Sequence, residues 1–370
     1  MCLINQLSAR SRAVLALVLV FCSAARAGTP EQMLAAAARA AGTPAMTAAV
    51  ITSNSIEVHA TGVRRLGVPG VVEVGDAFHI GSDAKAMLAT LIAQEVEQGR
   101  LRWDTRIGDV LPEACVGARA EYRNVTVADL LAHRSGLVAL YTLDELAAVP
   151  PLRGSVGAQR LQFTAWVLRQ PPAAAPGTTA VYSNAGYIVA ATMLERVSGH
   201  RYEELLQRRL LAPLGIVATF DWPAARQRNA PWGHAIVDGH LLPVDPLDPA
   251  NRIPAWANPP GNLSLGTRDF ARFVRPHLRG LRGAPGLLQP ASFAELHTPH
   301  GEYALGWAIA EVNGHVLSYH QGASGLFYAL MIIDAEADVA AVVLANSDTD
   351  TMELAATQLA LALLQSKVAP

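Results

Sequence analysis

The stretch FHIGSDAKAML, residues 78–88, runs from an extended segment through a glycine into a helical pattern. From Ser82 onward, apolar residues recur at spacings of three and four as far as Val96, which predicts a helix with one buried face. Positions i and i+3 lie side by side on a helix, so the Lys85 amine should reach the Ser82 hydroxyl. In that geometry a lysine can take the proton from a nucleophilic serine.

The lysine content of the chain separates this catalytic interpretation from a structural one. In the structural alternative, Ser82 only caps the helix and Lys85 is a solvated cation in its first turn. Of the 29 lysines and arginines, however, only two are lysines, Lys85 and Lys367. Arginine keeps its proton in a protein, whereas a desolvated lysine can act as a base near neutral pH. A lysine at this position of an arginine-rich chain therefore favours the catalytic interpretation.

The first 27 residues have the pattern of an export signal. Arg10 and Arg12 precede an apolar run over 13–21, and a small-x-small cleavage site ends at Ala27. The run is too short to span a bilayer, so no stable membrane span is expected after removal of residues 1–27. We therefore predict an exported protein, periplasmic or secreted.

Charge and cysteine content narrow the function classes further. The formal net charge is −2, and loss of the three arginines in the predicted signal changes it to −5, which argues against a nucleic-acid-binding surface. Two of the three cysteines also lie in the predicted signal, which leaves Cys115 without a disulfide partner. With 51% hydrophobic residues, the chain can rely on a large core for its stability.

The periodicity of the chain predicts one sheet built from both of its ends. Strand-like runs occur near both termini, the last group beginning at 303, and the residues between are mostly helical, including a helix over 187–197. We predict an α/β (α+β) fold in which residues 28–75 and 265–370 form an antiparallel sheet flanked by terminal helices. Residues 76–264 would form an inserted, mostly helical region that carries the nucleophile.

Two further motifs could complete a site around Ser82. One contains Tyr182 and Asn184. A tyrosine beside a cationic lysine is expected to have a lowered pKa, and an asparagine amide can hold both the lysine and a substrate carbonyl. The other contains His320 and Gly322, since a histidine can bind a carboxylate or move a proton and a glycine lets a substrate approach the backbone. Taken alone, each motif is more typical of structural residues.

Together the three motifs resemble those of the penicillin-recognising serine hydrolases, which comprise class C β-lactamases, D-Ala-D-Ala carboxypeptidases and related esterases. That family has Ser-x-x-Lys, Tyr-x-Asn and Lys/His-x-Gly in this order, as residues 82–85, 182–184 and 320–322 do here. The stretch LLAHRSGL over 130–137 also looks like a family signature. The resemblance covers the chain from about Gly28 to its last helix.

This resemblance implies an α/β sandwich beside an all-helical region, with the site where the two meet. Ser82 would attack a carbonyl carbon and form an acyl-enzyme, while Lys85 and Tyr182 move protons. The oxyanion hole would consist of the backbone N–H groups of Ser82 and Ala323. Asn184 would position the amide or ester of the substrate.

The third motif departs from the β-lactamase pattern. His320-Gln321-Gly322 stands where β-lactamases have the Lys-Thr-Gly that holds the carboxylate of the antibiotic. Histidine is only partly charged at neutral pH, and glutamine lacks the threonine hydroxyl. With His320 and Gly322 in the substrate site, the pattern favours cleavage of an ester or a D-amino-acid-containing amide. A true β-lactamase or D,D-carboxypeptidase and a catalytically silent peptidoglycan- or peptide-binding protein are the alternatives.

No cofactor or metal is expected. His297 and His300 are the nearest approach to a metal pair, but the proline between them and the lack of a nearby cysteine argue against a site. The sequence also lacks a Gly-x-Ser-x-Gly elbow and a phosphate-binding Gly-Lys-Ser/Thr loop. We predict a small-molecule or peptide substrate, with specificity loops over 137–172 and 229–262. The sequence does not indicate an oligomeric state.

Overall fold

Antiparallel strands from both ends of the chain lie side by side at the centre of the molecule. A computed structural model describes residues 28–368, which contain eleven strands. In chain order these are β1 Ala45–Ile51, β2 Ile56–Gly62, β3 Ala77–His79, β4 Ala218–Thr219, β5 His234–Val237, β6 His240–Pro243, β7 Ser264–Gly266, β8 Ala308–Val312, β9 His315–Ala323, β10 Tyr328–Asp334 and β11 Val339–Ala345.

The central sheet has the strand order β2-β1-β11-β10-β9-β8, and all neighbouring strands are antiparallel. Strands from the two ends of the chain pair directly, with Ala48 of β1 opposite Val343 of β11. Every residue of β1, β10 and β11 is buried, which requires cover on both faces of the sheet. The predicted fold class, with one sheet built from both ends of the chain, is confirmed.

Within the same part of the chain, thirteen α-helices cover the sheet and form most of the inserted region. Short 3₁₀ segments occur among them, and the one that matters for the site is Gly81–Asp83. In chain order the α-helices are α1 Pro30–Ala41, α2 Ala84–Glu97, α3 Ile107–Val110, α4 Val127–Leu131, α5 Leu143–Ala147, α6 Val156–Val167, α7 Asn184–Ser198, α8 Tyr202–Leu206, α9 Ala212–Leu214, α10 Pro223–Arg226, α11 Thr267–Leu281, α12 Pro290–Leu296 and α13 Asp350–Val368.

The two faces of the central sheet are covered by different helices. α1 and α13 pack together on one face, and Met46, Ala48 and Val50 of β1 belong to that core. α11 packs against the other face, where Ala49 and Ile51 join the larger core shared with the helical region. This alternation follows the two-residue period of a strand. It places the helical region on the α11 side of the sheet.

A second, three-stranded sheet lies where the chain enters and leaves the helical region. Its order is β3-β7-β4, with Phe78 of β3 opposite Leu265 of β7. β3 leads directly to Ser82, so this small sheet anchors the start of the nucleophile helix. The predicted region boundaries at 75/76 and 264/265 fall beside β3 and inside β7, and they stay a prediction.

Helix α2 is buried on all sides, and the prediction of a single buried face is wrong. Residues 84–95 are all buried, because α7, α8 and α12 pack around the helix. Its one buried acid, Glu95, is paired with Arg100 and Arg209. Lys85 in the first turn of α2 therefore lies in the interior of the protein.

Two element boundaries differ from their predicted positions. α7 begins at Asn184, three residues earlier than predicted, because Ser183 caps the helix by accepting a hydrogen bond from the Gly186 N–H at 3.0 Å. β8 begins at Ala308, five residues later than predicted, because Gly306 has a left-handed φ of 87° and packs against α2. Asn184 therefore lies on the rigid first turn of a helix.

None of the helices in the described part of the chain is long and apolar enough to cross a membrane. The predicted export signal, residues 1–27, lies outside the described residues. Export, periplasmic or secreted, therefore stays a prediction.

Candidate active site

Ser82 lies in a sharp turn between β3 and α2. β3 ends at His79, and Gly81 has a left-handed φ of 50°, a conformation that favours glycine. Asp83 is the N-cap residue of α2, and its side chain makes no capping hydrogen bond. Ser82 therefore does not cap the helix, as the structural alternative required, and its half-buried side chain is available for chemistry.

The Lys85 amine contacts three oxygen atoms in the interior. Its Nζ lies 2.9 Å from Ser82 Oγ, 2.7 Å from Asn184 Oδ1 and 2.8 Å from the carbonyl oxygen of Pro260. The side chain is 0% exposed. Burial lowers the pKa of Lys85 well below its usual value of 10.5, and the nearby Asp83 only partly opposes this effect. The surroundings therefore favour the neutral amine.

A neutral Lys85 amine has two N–H donors and one lone pair. The contacting atoms of Asn184 and Pro260 are carbonyl oxygens, which can only accept, so they take both N–H groups. In that form the lone pair is available for the Ser82 proton, with Nζ 2.9 Å from Ser82 Oγ. This is the arrangement of a nucleophile with its general base.

Tyr182 is the second residue whose side chain contacts Ser82. Its phenol hydrogen-bonds with the Ser82 side chain, and its ring centroid is 4.8 Å from Lys85 Nζ. Burial raises the pKa of Tyr182 well above its usual value of 10. The predicted lowering of this pKa is wrong, because burial of the phenol disfavours the phenolate more than the hydrogen bond with Ser82 favours it. Tyr182 can carry protons only as a neutral phenol.

Asn184 holds the lysine and faces the space in front of Ser82. Its Oδ1 accepts from Lys85 Nζ at 2.7 Å, and its Nδ2 donates to the carbonyl oxygen of Leu140 at 3.0 Å. An amide nitrogen carries two N–H groups, so the second can donate to a substrate oxygen. The predicted contacts of Asn184 with the lysine and with a substrate are geometrically compatible.

His320 faces Asp83 and does not line the cavity in front of Ser82. Its Nδ1 lies 2.9 Å from Asp83 Oδ1 and 2.9 Å from the carbonyl oxygen of Gln321. Because that carbonyl oxygen can only accept, Nδ1 carries the proton. Burial lowers the pKa of His320 to about 3 and raises the pKa of Asp83. His320 is therefore neutral and ties β9 to the Ser82 turn, a geometry that does not favour the predicted binding of a substrate carboxylate.

β9 brings Gly322 and Ala323 against the Ser82 turn. A Cβ atom added to Gly322 would lie 1.8 Å from the carbonyl oxygen of Ile80 and 3.1 Å from Ser82 N. The close packing of β9 on the Ser82 turn therefore requires a glycine at position 322. A contact between Gly322 and substrate stays a prediction. Ala323 lines the cavity together with Ser82, as an oxyanion hole formed by their N–H groups needs.

A cavity of about 210 Å³ opens in front of Ser82. Of the predicted site residues, Ser82, Asn184 and Ala323 line it, while Lys85 and Tyr182 lie behind the serine. Most other wall residues are apolar or aromatic, and many come from the two predicted specificity loops. The structure thus brings the predicted nucleophile and its predicted base together beside a largely apolar cavity.

His133 belongs to the site, although the sequence showed it only as part of a signature stretch. Its ring stacks on Tyr182 with centroids 4.1 Å apart, and its Nδ1 accepts from the Ser183 N–H at 3.0 Å. Burial lowers the pKa of His133, so the ring is neutral. The left-handed φ of 59° is unusual for a residue other than glycine and shows that the surrounding packing imposes this turn. His133 holds Tyr182 in place.

The residues described here contain no cluster of side chains that could hold a metal ion. His297, one of the two candidate ligands, lies 3.0 Å from His277 in a buried pair. His300 follows α12, and its Nε2 lies 3.0 Å from Oε1 of Glu295 in that helix. Neither histidine lines the cavity in front of Ser82.

Comparison with known proteins agrees with this geometry. The family model described as Beta-lactamase matches residues 31–365, which is most of the chain. The chain belongs to the Beta-lactamase family. Membership of this family supports a serine hydrolase that works through an acyl-enzyme.

Three proteins illustrate the range of similarity within and around the Beta-lactamase family. Penicillin-binding protein 4 of Amycolatopsis lactamdurans is 30% identical over 331 residues, which cover 83% of this chain and 82% of that protein. Unguisins hydrolase ungD of Aspergillus violaceofuscus is 29% identical over 183 residues, or 48% of this chain and only 31% of that protein. The octameric penicillin-binding protein homologue from Pyrococcus abyssi has a TM-score of 0.75 and 22% identity, covering 91% of this chain and 76% of that one. At that identity the likeness shows the fold alone.

We expect the rate of ester hydrolysis to rise with pH through the pKa of Lys85. In the predicted role of Lys85 the neutral amine is the base, so kcat/KM should be low below this pKa and constant above it. Because burial lowers the pKa, the plateau should begin well below pH 10.5. Measuring kcat/KM for a neutral ester from about pH 5 to about pH 10 checks this. A rate that keeps rising towards the pKa of an exposed lysine would contradict it.

Proposed function

We propose that the protein is an exported serine hydrolase that cleaves an ester or a D-amino-acid-containing amide through an acyl-enzyme on Ser82. The observation that supports this most directly is the buried Lys85 amine, which contacts Ser82 Oγ at 2.9 Å. The carbonyl oxygens of Asn184 and Pro260 take its N–H groups, so its lone pair is left for the serine proton. In this geometry Lys85 can take the proton of Ser82, which makes the serine oxygen a nucleophile.

The acylation step follows from these contacts. Ser82 Oγ attacks the substrate carbonyl carbon, and the serine proton moves to Lys85 Nζ. The N–H groups of Ser82 and Ala323 would stabilise the negative oxygen of the tetrahedral intermediate. Lys85, now cationic, returns the proton through Tyr182 to the leaving oxygen or nitrogen, whose bond to the carbonyl carbon breaks. Water then attacks the carbonyl carbon of the Ser82 ester and gives a proton to Lys85 Nζ. The bond between that carbon and Ser82 Oγ breaks, Oγ takes the proton back from Lys85, and the acid is released.

The proposed substrate class rests on the cavity and on the third motif. Leu140, Ile188 and Trp222 contribute to a largely apolar wall, which suits an apolar acyl group. His320 is neutral and lies outside this wall, so the motif that binds the carboxylate in β-lactamases has no cation here. A penicillin whose carboxylate lay at the third motif would therefore find no cation there, which favours an ester or a D-amino-acid-containing amide as the substrate.

A β-lactamase or D,D-carboxypeptidase is the second candidate function. Its support is the 30% identity with a protein named penicillin-binding protein 4. A catalytically silent binding protein is less well supported, because Ser82, Lys85 and Tyr182 are in mutual contact.

Covalent labelling tests the nucleophile. After incubation with a fluorophosphonate and peptide mapping by mass spectrometry, we expect the label on Ser82 and none on a Ser82→Ala variant. Ser366, an exposed serine on α13, offers the matched control, and Ser366→Ala should be labelled like the wild type. Label on another residue, or undiminished ester turnover by Ser82→Ala, would overturn the assignment.

Three substrates assayed with the same preparation separate the candidate functions: a short acyl ester, a chromogenic cephalosporin and a D-Ala-D-Ala peptide. The ester as the fastest substrate supports an esterase. The D-Ala-D-Ala peptide as the fastest substrate would favour a D,D-carboxypeptidase. The cephalosporin as the fastest substrate would favour a β-lactamase. Binding without turnover of any of them would favour the silent protein.

A further inference from the structure

Arg252 carries the only formal charge among the described residues that line the cavity in front of Ser82. We propose that Arg252 binds a carboxylate of the substrate, so that the enzyme prefers anionic esters or amides with an apolar acyl group. This inference rests on the proposed function of Ser82 and names the substrate class of the same site.

No other side chain of the cavity wall among the described residues offers a cation for a substrate carboxylate. Within residues 28–368, no aspartate, glutamate or lysine lines the cavity. His79 does, but burial lowers its pKa to about 4, so it is neutral at neutral pH. Lys85 lies behind the serine, with its N–H groups directed to Asn184 and Pro260. A negatively charged substrate group therefore finds its one cationic partner in Arg252.

The guanidinium of Arg252 is available for a ligand. It is exposed and, among the residues described, makes no ion pair or side-chain hydrogen bond. The backbone around it is nevertheless ordered, because the Arg252 N–H donates to the carbonyl oxygen of Pro249 at 3.2 Å and closes the 3₁₀ turn Pro249–Asn251. Asn251 and Ile253 on either side also line the cavity. The side chain thus projects from a defined turn of the wall.

Desolvation gives a physical reason for a carboxylate preference. A substrate that fills the cavity covers part of the exposed Arg252 guanidinium, and each N–H group that loses water in this way needs a new acceptor. A carboxylate restores the lost interaction, and the planar guanidinium fork matches its two oxygens. A neutral substrate of the same shape cannot restore this interaction.

The carboxylate can belong to either product of the reaction. It can be part of the acyl group, as in a monoester of a dicarboxylic acid, or part of the leaving group, as in an amide or ester of an amino or hydroxy acid. In the acyl group or in the leaving group, the carboxylate would offer Arg252 the same two oxygen atoms. Matched substrate pairs distinguish them.

The test measures a preference ratio, kcat/KM for an anionic substrate divided by kcat/KM for its neutral counterpart. One pair carries the carboxylate or its methyl ester in the acyl group, and a second pair carries the carboxylate or its amide in the leaving group. The ratio is measured for wild type, Arg252→Gln and Arg252→Lys. Arg228→Gln is the control, because Arg228 is also exposed, does not line the cavity and gives the same change of net charge.

We expect Arg252→Gln to lower the ratio by about 10- to 100-fold for the pair that matches the natural substrate, mainly through KM. Arg252→Lys should restore part of it, since a lysine keeps the charge without the fork. Arg228→Gln should keep the wild-type ratio. The pair that responds identifies whether the carboxylate lies in the acyl group or in the leaving group.

An unchanged ratio for both pairs in Arg252→Gln would overturn the inference while leaving the proposed function intact. If the wild type turns over none of these substrates, titration calorimetry with the carboxylate products decides the question without catalysis. Weaker binding to Arg252→Gln than to Arg228→Gln would then support the carboxylate site, and equal binding would exclude it. Failure of fluorophosphonate to label Ser82 would count against the proposed function alone.

Discussion

Replacement of Lys85 by arginine should lower kcat/KM by about 10²- to 10⁴-fold, although the substitution keeps a positive charge. The wild-type amine is buried and favours its neutral form, in which a lone pair faces Ser82 Oγ. An arginine cannot lose its proton under these conditions and has no lone pair to offer the serine. Steady-state kinetics with a neutral ester would measure the loss.

The second lysine of the chain provides the matched control. Lys367 on α13 is partly exposed, and its amine lies 3.1 Å from Glu57 Oε2 at the surface. Lys367→Arg should therefore retain wild-type kcat/KM, and circular dichroism should show that both variants are folded. Near-normal activity of a folded Lys85→Arg variant would exclude Lys85 as the base.

Replacement of Gly322 by alanine should abolish most of the activity and lower the free energy of unfolding. The added Cβ would lie 1.8 Å from the carbonyl oxygen of Ile80, so β9 and the Ser82 turn must move apart. Overpacking of this kind costs about 1–3 kcal/mol and occasionally more. Displacement of an N–H donor from the oxyanion hole lowers the rate by about 10²- to 10³-fold. Thermal unfolding and kcat/KM per folded molecule measure the two effects separately.

Gly286→Ala is the control for this substitution. Gly286 has no heavy atom within 4 Å of an added Cβ, and its φ is not in the left-handed region. The alanine should therefore leave both the Tm and kcat/KM close to their wild-type values. If Gly322→Ala behaved in the same way, the close packing of β9 on the Ser82 turn would not matter for function.

Much of the architecture could be predicted because it follows from local patterns. Strand-like runs near both termini and mostly helical residues between them predict one sheet built from both ends of the chain, and the structure has this sheet. α2 was predicted less well, because its sequence does not show that helices distant in the chain cover every face. Periodicity reports which residues are apolar, and packing decides which are buried.

In the candidate site, too, some contacts follow from local sequence and others depend on tertiary packing. Ser82 and Lys85 could be paired from their spacing, since a helix turn brings positions i and i+3 together. His320 could be placed in the site by its motif, but its contact with Asp83 depends on how β9 packs on the Ser82 turn. Arg252 has no local signal, because a loop residue becomes a wall residue only when the loop folds over the cavity.

The sequence by itself therefore paired a serine with a lysine through their spacing, and its resemblance to a known family added a tyrosine and an asparagine to the predicted site. Only the tertiary structure decided their protonation. The carbonyl oxygen of Pro260, 175 residues beyond Lys85 in the chain, takes one of the amine N–H groups, and burial lowers the pKa of that amine. A pKa depends on the water and charge around a group, and these are set by contacts between distant parts of the chain.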